Sequence, residues 1–323
     1  MLNDPFTGIT TEGRPQTGLF GLRSDDAPNA AAIDAVSALM TMLTPNQKAS
    51  MHFPADSNQR RNWQNTELYV ETHGLRLDEH PMEIREAVME VLRASMAPKG
   101  YEMSRDVMRL NGFLGELTGL PLVLGEWSYI FCLFGNPSRA APWGWQLFGH
   151  HLCLNCFLLN DQMVLTPAFM GAEPTHGDDG RYDRIHLFED EERFGLSLMR
   201  SFSRTEQAQA LVAKSMMGGD LPEGRRHFAD NLHLGGAYQD NRIVPYEGLR
   251  ADAISKQQQR DLLDLAEAYL VTLPDGPRAA KMAEIEHYLS DTHFCWIGGT
   301  TEDSAFYYRI QSPVTFIEFD HHT

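Results

Sequence analysis

At Gly125 this chain changes its period. Before it, apolar residues recur at helical spacing; after it come runs rich in aromatic and β-branched residues, bounded by Gly, Pro, Asn and Asp, the pattern of strands. Six such runs can be read, over 127–134, 143–159, 163–169, 294–297, 304–311 and 314–320. Asn160-Asp161-Gln162 is a short connection between two of them and predicts a hairpin. The runs fall into two blocks, 125–170 and 293–322, on either side of a mostly helical middle. Strands in clusters, without strict βαβ alternation, predict an α+β fold. An isolated hairpin is marginal in water, so the two blocks are expected to pair into one central, mostly antiparallel sheet flanked by helices. Residues 1–27 then form an irregular arm. Residues 28–323 form a single α+β domain with a helical insertion over 172–292.

The helices announce themselves by their starts. Thr44-Pro45-Asn46-Gln47, Ser203-Arg204-Thr205-Glu206 and Ser255-Lys256-Gln257-Gln258 each offer a capping hydroxyl with Glu or Gln three residues on, the reciprocal capping box. Further helices are predicted over 30–42, 82–96 and 101–117. In the second, Ile84, Val88, Val91 and Leu92 form one apolar stripe.

Charge narrows the function classes. With 27 Lys+Arg against 44 Asp+Glu, the net charge of −17 repels phosphate backbones and anionic lipid. No nucleic-acid or membrane partner is expected. No secretory leader is read at the start, and no apolar run reaches the ~20 residues of a membrane helix, so the expected location is cytoplasmic. Four cysteines in 323 residues are too few for a disulfide scaffold. Cys153 and Cys156, three apart on a strand, point to opposite faces and make a poor chelate.

Polar, metal-capable side chains interrupt two of the apolar runs, and polar groups taken out of water must be hydrogen-bonded or coordinated. Read as one alternating strand, 143–157 places Trp143, Trp145, His151, Cys153 and Asn155 on one face and Phe148, His150, Leu152 and Leu154 on the other, the core face. His151 and Asn155 would share a pocket with two tryptophans, or His151 would be a hydrogen-bonded core histidine. In the last run Glu318, Asp320 and His322 lie on one face and His321 on the other. Tyr307, Arg309 and Gln311 share a face of the run before it. Arg309 suits a substrate carboxylate or a structural ion pair. Glu126 opens a strand beside Trp127, as a proton carrier or a polar edge residue. Glu284-x-x-His287 occurs once and reads as a helix surface, and Asp178-Asp179-Gly180 as a turn. No P-loop, dinucleotide fingerprint, G-x-S-x-G elbow or H-E-x-x-H is present.

The segments Met108–Leu117, Leu124-Gly125-Glu126-Trp127, Trp143–Asn155, Thr166–Pro174, Trp296-Ile297-Gly298-Gly299 and Phe306–Ile310 through Glu318-Phe319-Asp320-His321, in that order, resemble the bacterial proteins grouped as domain of unknown function 3500. The family is named for lacking an assigned activity. The resemblance places His150-His151 and Glu318/Asp320/His321 in its most recognisable segments.

The expected function is that of a metal-dependent enzyme, a hydrolase acting on a small polar molecule through a metal-activated water. His150, His151, Glu318, Asp320, His321 and His322 are the candidate ligands for zinc, manganese or iron. Glu126, Glu173 and Arg309 are the candidate catalytic groups, and Trp143, Trp145, Asn155 and Tyr307 would contact substrate. A non-haem iron oxygenase uses the same ligand types. A non-catalytic small-molecule-binding protein would use the same pocket without metal. The partner expected is a small molecule, with a homo-oligomer compatible with the sequence.

Overall fold

The computed structural model describes residues 2–217, 219–227 and 230–322. The chain is α+β, as expected, with eight helices and two mixed sheets among the described residues. The two strand blocks do not pair with each other: each builds its own sheet. The chain divides into two compact units.

One unit, the hairpin unit, comprises Leu22–Leu187 with Val271–Arg278. Its helices are α1 (Asn29–Met42), α2 (Pro45–Met51), α3 (Met82–Ser95) and α4 (Pro98–Thr118). Its strands are β1 (His52–Phe53), β2 (Leu75–Arg76), β3 (Tyr129–Phe134), β4 (Trp143–Gly149), β5 (Leu152–Leu159) and β6 (Gln162–Met170). The sheet runs β1-β3-β4-β5-β6, with β2 sharing the β1 edge of β3. The expected stripe of α3 is buried, and Trp145 of β4 donates its indole N–H to Ser95 Oγ at the end of that helix, at 3.0 Å. Helix α4 stops at Gly119, which takes the left-handed conformation (φ 72°) that favours glycine. The predicted hairpin turn is the Asn160-Asp161 connection between β5 and β6.

The second unit, the C-terminal unit, comprises Met1–Gly21, Phe188–Leu270 and Ala279–Thr323. It contains α5 (Glu189–Ser201), α6 (Arg204–Ala210), β7 (Leu211–Ala213), β8 (Leu249–Arg250), α7 (Lys256–Ala268), α8 (Asp275–His287, from its second turn), β9 (His293–Gly298), β10 (Phe306–Gln311) and β11 (Phe316–His321). The sheet order is β11-β10-β9-β7, with β8 also on β9. One face is a dry aromatic core. Phe294, Trp296, Phe306 and Tyr308 stack on one another and pack against α5 and α7 through Leu196, Met199, Leu262 and Leu265. The Tyr308 hydroxyl donates to Glu191 O at 2.9 Å and lies 2.5 Å from that of Tyr269. All three predicted capping boxes form, at Thr44/Gln47, Ser203/Glu206 and Ser255/Gln258. The arm expected at 1–27 is anchored in part: Thr10 bridges Ile243, and Thr7 and Gly8 donate to Asn241 Oδ1. Among the described residues no helix is long and apolar enough to cross a membrane.

Candidate functional site

The other face of the C-terminal sheet is polar, and its register shows why. Tyr307 stands opposite Asp320, Arg309 opposite Glu318, and Gln311 opposite Phe316, so the polar alternates of β10 and β11 share one face, as alternation predicted for each strand separately. Residues of two stretches, 222–227 and 230–247, pack against that face. Glu318 anchors the second by accepting from the backbone N–H of Leu234 (2.8 and 3.0 Å) and of Gly235 (2.8 Å), and from the Tyr307 hydroxyl (2.6 Å). Gln311 Nε2 donates to Val244 O at 2.8 Å. Arg309, 1% exposed, donates through Nη2 to Glu247 Oε2 at 2.9 Å and to Pro245 O at 3.2 Å. The guanidinium of Arg225 lies 4.6 Å over the Tyr307 ring, and its Nη1 donates to Leu232 O.

Several buried polar atoms on this face have no hydrogen-bond partner: Arg225 Nε and Nη2, Arg309 Nη1, Gln311 Oε1, and Asp320 Oδ1 and Oδ2. His322 Nε2 lies 3.0 Å from Asp320 Oδ1, within ion-pair distance when the imidazole is protonated. Of these residues Arg225 borders a cavity of about 160 Å³, whose lining also includes Leu234, Arg242, Val244, Pro245 and Glu247.

The hairpin unit holds the other candidate. The run 143–157 is not one strand. It folds back at His150-His151, a two-residue turn between β4 and β5. His151 takes φ 59°, a conformation that carries strain for a non-glycine residue. The two imidazoles stand 3.8 Å apart, centroid to centroid. His150 is buried, its Nδ1 2.7 Å from Asn111 Oδ1, and its carbonyl accepts from the Tyr129 hydroxyl at 2.9 Å. Burial first, and the neighbouring His151 second, push His150 down to about 3, so it is neutral near pH 7. His151 Nε2 is buried without a hydrogen-bond partner and lies 3.8 Å from Glu173 Oε2.

Sequence comparison adds one finding. The profile of a family described as "Protein of unknown function (DUF3500)" matches residues 25–323. The chain belongs to the DUF3500 family. No curated protein and no solved structure matches it.

In this DUF3500 protein the residues of the expected metal set are drawn from both units. His150 and His151 belong to one unit, and Glu318, Asp320, His321 and His322 to the other. His321 lies on the apolar face, against Phe306 and 3.7 Å from Glu192 Oε2, while Glu318 and Asp320 lie on the polar one. Among the described residues no group of three or more His, Cys, Asp or Glu side chains is placed to hold a metal ion. Two other expectations are corrected by the hairpin. Trp143 and Trp145 are fully buried, with their indole N–H groups held by Asn29 Oδ1 and Ser95 Oγ at 3.0 Å each, so neither is open to a substrate as it stands. Asn155 is paired with Gln146, on the face away from the tryptophans, accepting from its Nε2 at 2.5 Å and donating to Pro167 O at 2.8 Å. Glu126 is held by Arg105 at 2.9 Å, with Arg181 3.8 Å away.

The residues missed are Arg225, Glu247 and Asn111. Arg225 and Glu247 sit in an aperiodic Gly- and Pro-rich segment that offers no face to read. Asn111 did leave a signal: it follows Ser104 and Met108 on the buried stripe of α4, where a polar residue requires a partner.

Proposed function

We propose that this protein binds a small polar molecule on the polar face of its C-terminal sheet, beneath the stretches that carry Arg225 and Glu247. The observation behind this reading is the collection of buried polar atoms without partners on that one face, of which those of Arg225 belong to a residue that lines a cavity. Each such atom costs roughly 1–3 kcal/mol when left unmet, and ligand-binding sites are where polar groups converge in a concave, partly apolar setting. Arg309 orients the site through Glu247, and Glu318 fastens its cover. The test is native mass spectrometry of protein purified without added ligand, with a thermal-shift screen of small polar metabolites. A copurified molecule, or a raised melting temperature abolished by Arg309→Met, is the expected result. No ligand in either experiment, with Arg309→Met as stable as the parent, would sink the proposal.

A second reading has its own observation. His151 Nε2 is buried without a hydrogen-bond partner and faces Glu173, while His150 Nδ1 is engaged by Asn111, the arrangement that leaves an Nε2 lone pair for a metal. His150, His151 and Glu173 are not placed as a ligand set here and would have to draw together to hold zinc, manganese or iron, which would supply an activated water for hydrolysis or, as iron, dioxygen chemistry. Elemental analysis of parent and His151→Ala decides it. Metal that copurifies and is lost in the variant supports this reading, and equal metal content in both removes it.

A further inference from the structure

We infer that the ligand of the polar face is a small monocarboxylate, gripped by Arg225. This rests on the reading of that face as a binding site and adds the chemistry of what it takes. Arg225 is 6% exposed. Its Nη1 is spent on Leu232 O, whereas Nε and Nη2 have no partner. Those two atoms form one edge of the guanidinium, shut off from solvent in this structure, and that edge carries two parallel N–H groups at the spacing of carboxylate oxygens. No carboxylate among the described residues forms an ion pair with Arg225, although a buried charge is ordinarily paired. The Tyr307 ring beneath the guanidinium fixes its plane.

The rest of the lining selects among anions. Glu223 and Glu247 also border the cavity. Arg309 compensates Glu247 at 2.9 Å, and Arg242 is tied to Gln239 Oε1 at 2.6 Å and reaches Gly224 O at 3.5 Å. Arg242 keeps its charge, since its partners Gln239 and Gly224 are neutral, but Arg225 alone has a free edge of two N–H donors, which one carboxylate satisfies. Leu234, Ile243, Val244 and Pro245 supply apolar wall, which suits a short carbon chain behind the carboxylate. A volume of about 160 Å³ keeps that chain short.

The experiment is titration calorimetry of the full chain with butyrate, butanamide and inorganic phosphate, on the parent, Arg225→Lys and Arg225→Met. Arg225→Lys keeps the charge and loses the fork, so it serves if the Met variant does not fold. Butyrate is expected to bind the parent and to weaken about tenfold or more in both variants, with butanamide and phosphate weaker than butyrate throughout. Tighter binding of butanamide or phosphate than of butyrate overturns the carboxylate and leaves the site standing. So does butyrate binding that Arg225→Lys leaves unchanged. If none of the three binds, the monocarboxylate inference fails, and the mass-spectrometric search for a copurified molecule decides the site separately.

Discussion

Tyr307 donates its hydroxyl to Glu318 at 2.6 Å across the β10–β11 ladder, and the same carboxylate receives the backbone N–H groups of Leu234 and Gly235. One side chain thus links the edge strand, the central strand and the covering segment. Tyr307→Phe removes a hydrogen bond to a charged acceptor, worth roughly 1.5–3 kcal/mol. Urea unfolding should show that loss, and hydrogen exchange at the Leu234 and Gly235 amides should quicken. Unchanged exchange there would mean that the cover is held elsewhere.

His150 predicts an acid-side loss of stability. Its folded value is depressed to about 3, against 6.5 for the free side chain. The neutral form is the one the fold favours, so the contribution is complete above pH 6.5 and is lost as pH falls toward 3. The slope from this group approaches about 1.4 kcal/mol per pH unit. Melting temperature followed from pH 7 to pH 4 should fall more steeply for the parent than for His150→Gln. Equal slopes would show that His150 is not the titrating group.

The left-handed conformation of His151 separates two substitutions. His151→Gly relieves backbone strain and should raise stability by about 1 kcal/mol, while His151→Val should lower it by at least that amount. Chemical denaturation measures both. Losses of similar size in the two variants would show that the imidazole itself holds the turn.

Gly195 in α5 lies against the Tyr308 ring, and a Cβ there would come within 2.4 Å of it. Gly195→Ala should therefore destabilise by about 1–3 kcal/mol through overpacking, despite the better helix propensity of alanine. A neutral or stabilising effect in a thermal melt would contradict the close helix–sheet approach.

Much of this fold could be read from local chemistry. The capping boxes at Thr44, Ser203 and Ser255 depend on residues three apart, and all three form. Alternation in β10 and β11 assigned Tyr307, Arg309, Glu318 and Asp320 to their faces correctly, because each is an uninterrupted strand. The same rule failed over 143–157. Gly149-His150-His151 reverses the chain, and one reversal changes which residues share a face. Long-range pairing was the larger error. Nothing local distinguishes two strand blocks that pair with each other from two that each recruit short partners, and β1, β2, β7 and β8 are only two or three residues long. Arg225 lay beyond reach for a related reason: its burial depends on a segment without period folding over a distant sheet.

Trp296, in the aromatic stack of the C-terminal sheet, is the one tryptophan of its unit; the chain's other four, at 63, 127, 143 and 145, lie within the hairpin unit. Replacing those four by phenylalanine would leave a single indole on the strand that neighbours Tyr307 and Arg309. The C-terminal unit thus carries an intrinsic fluorophore, and its emission would report ligand binding and local melting there without any added dye.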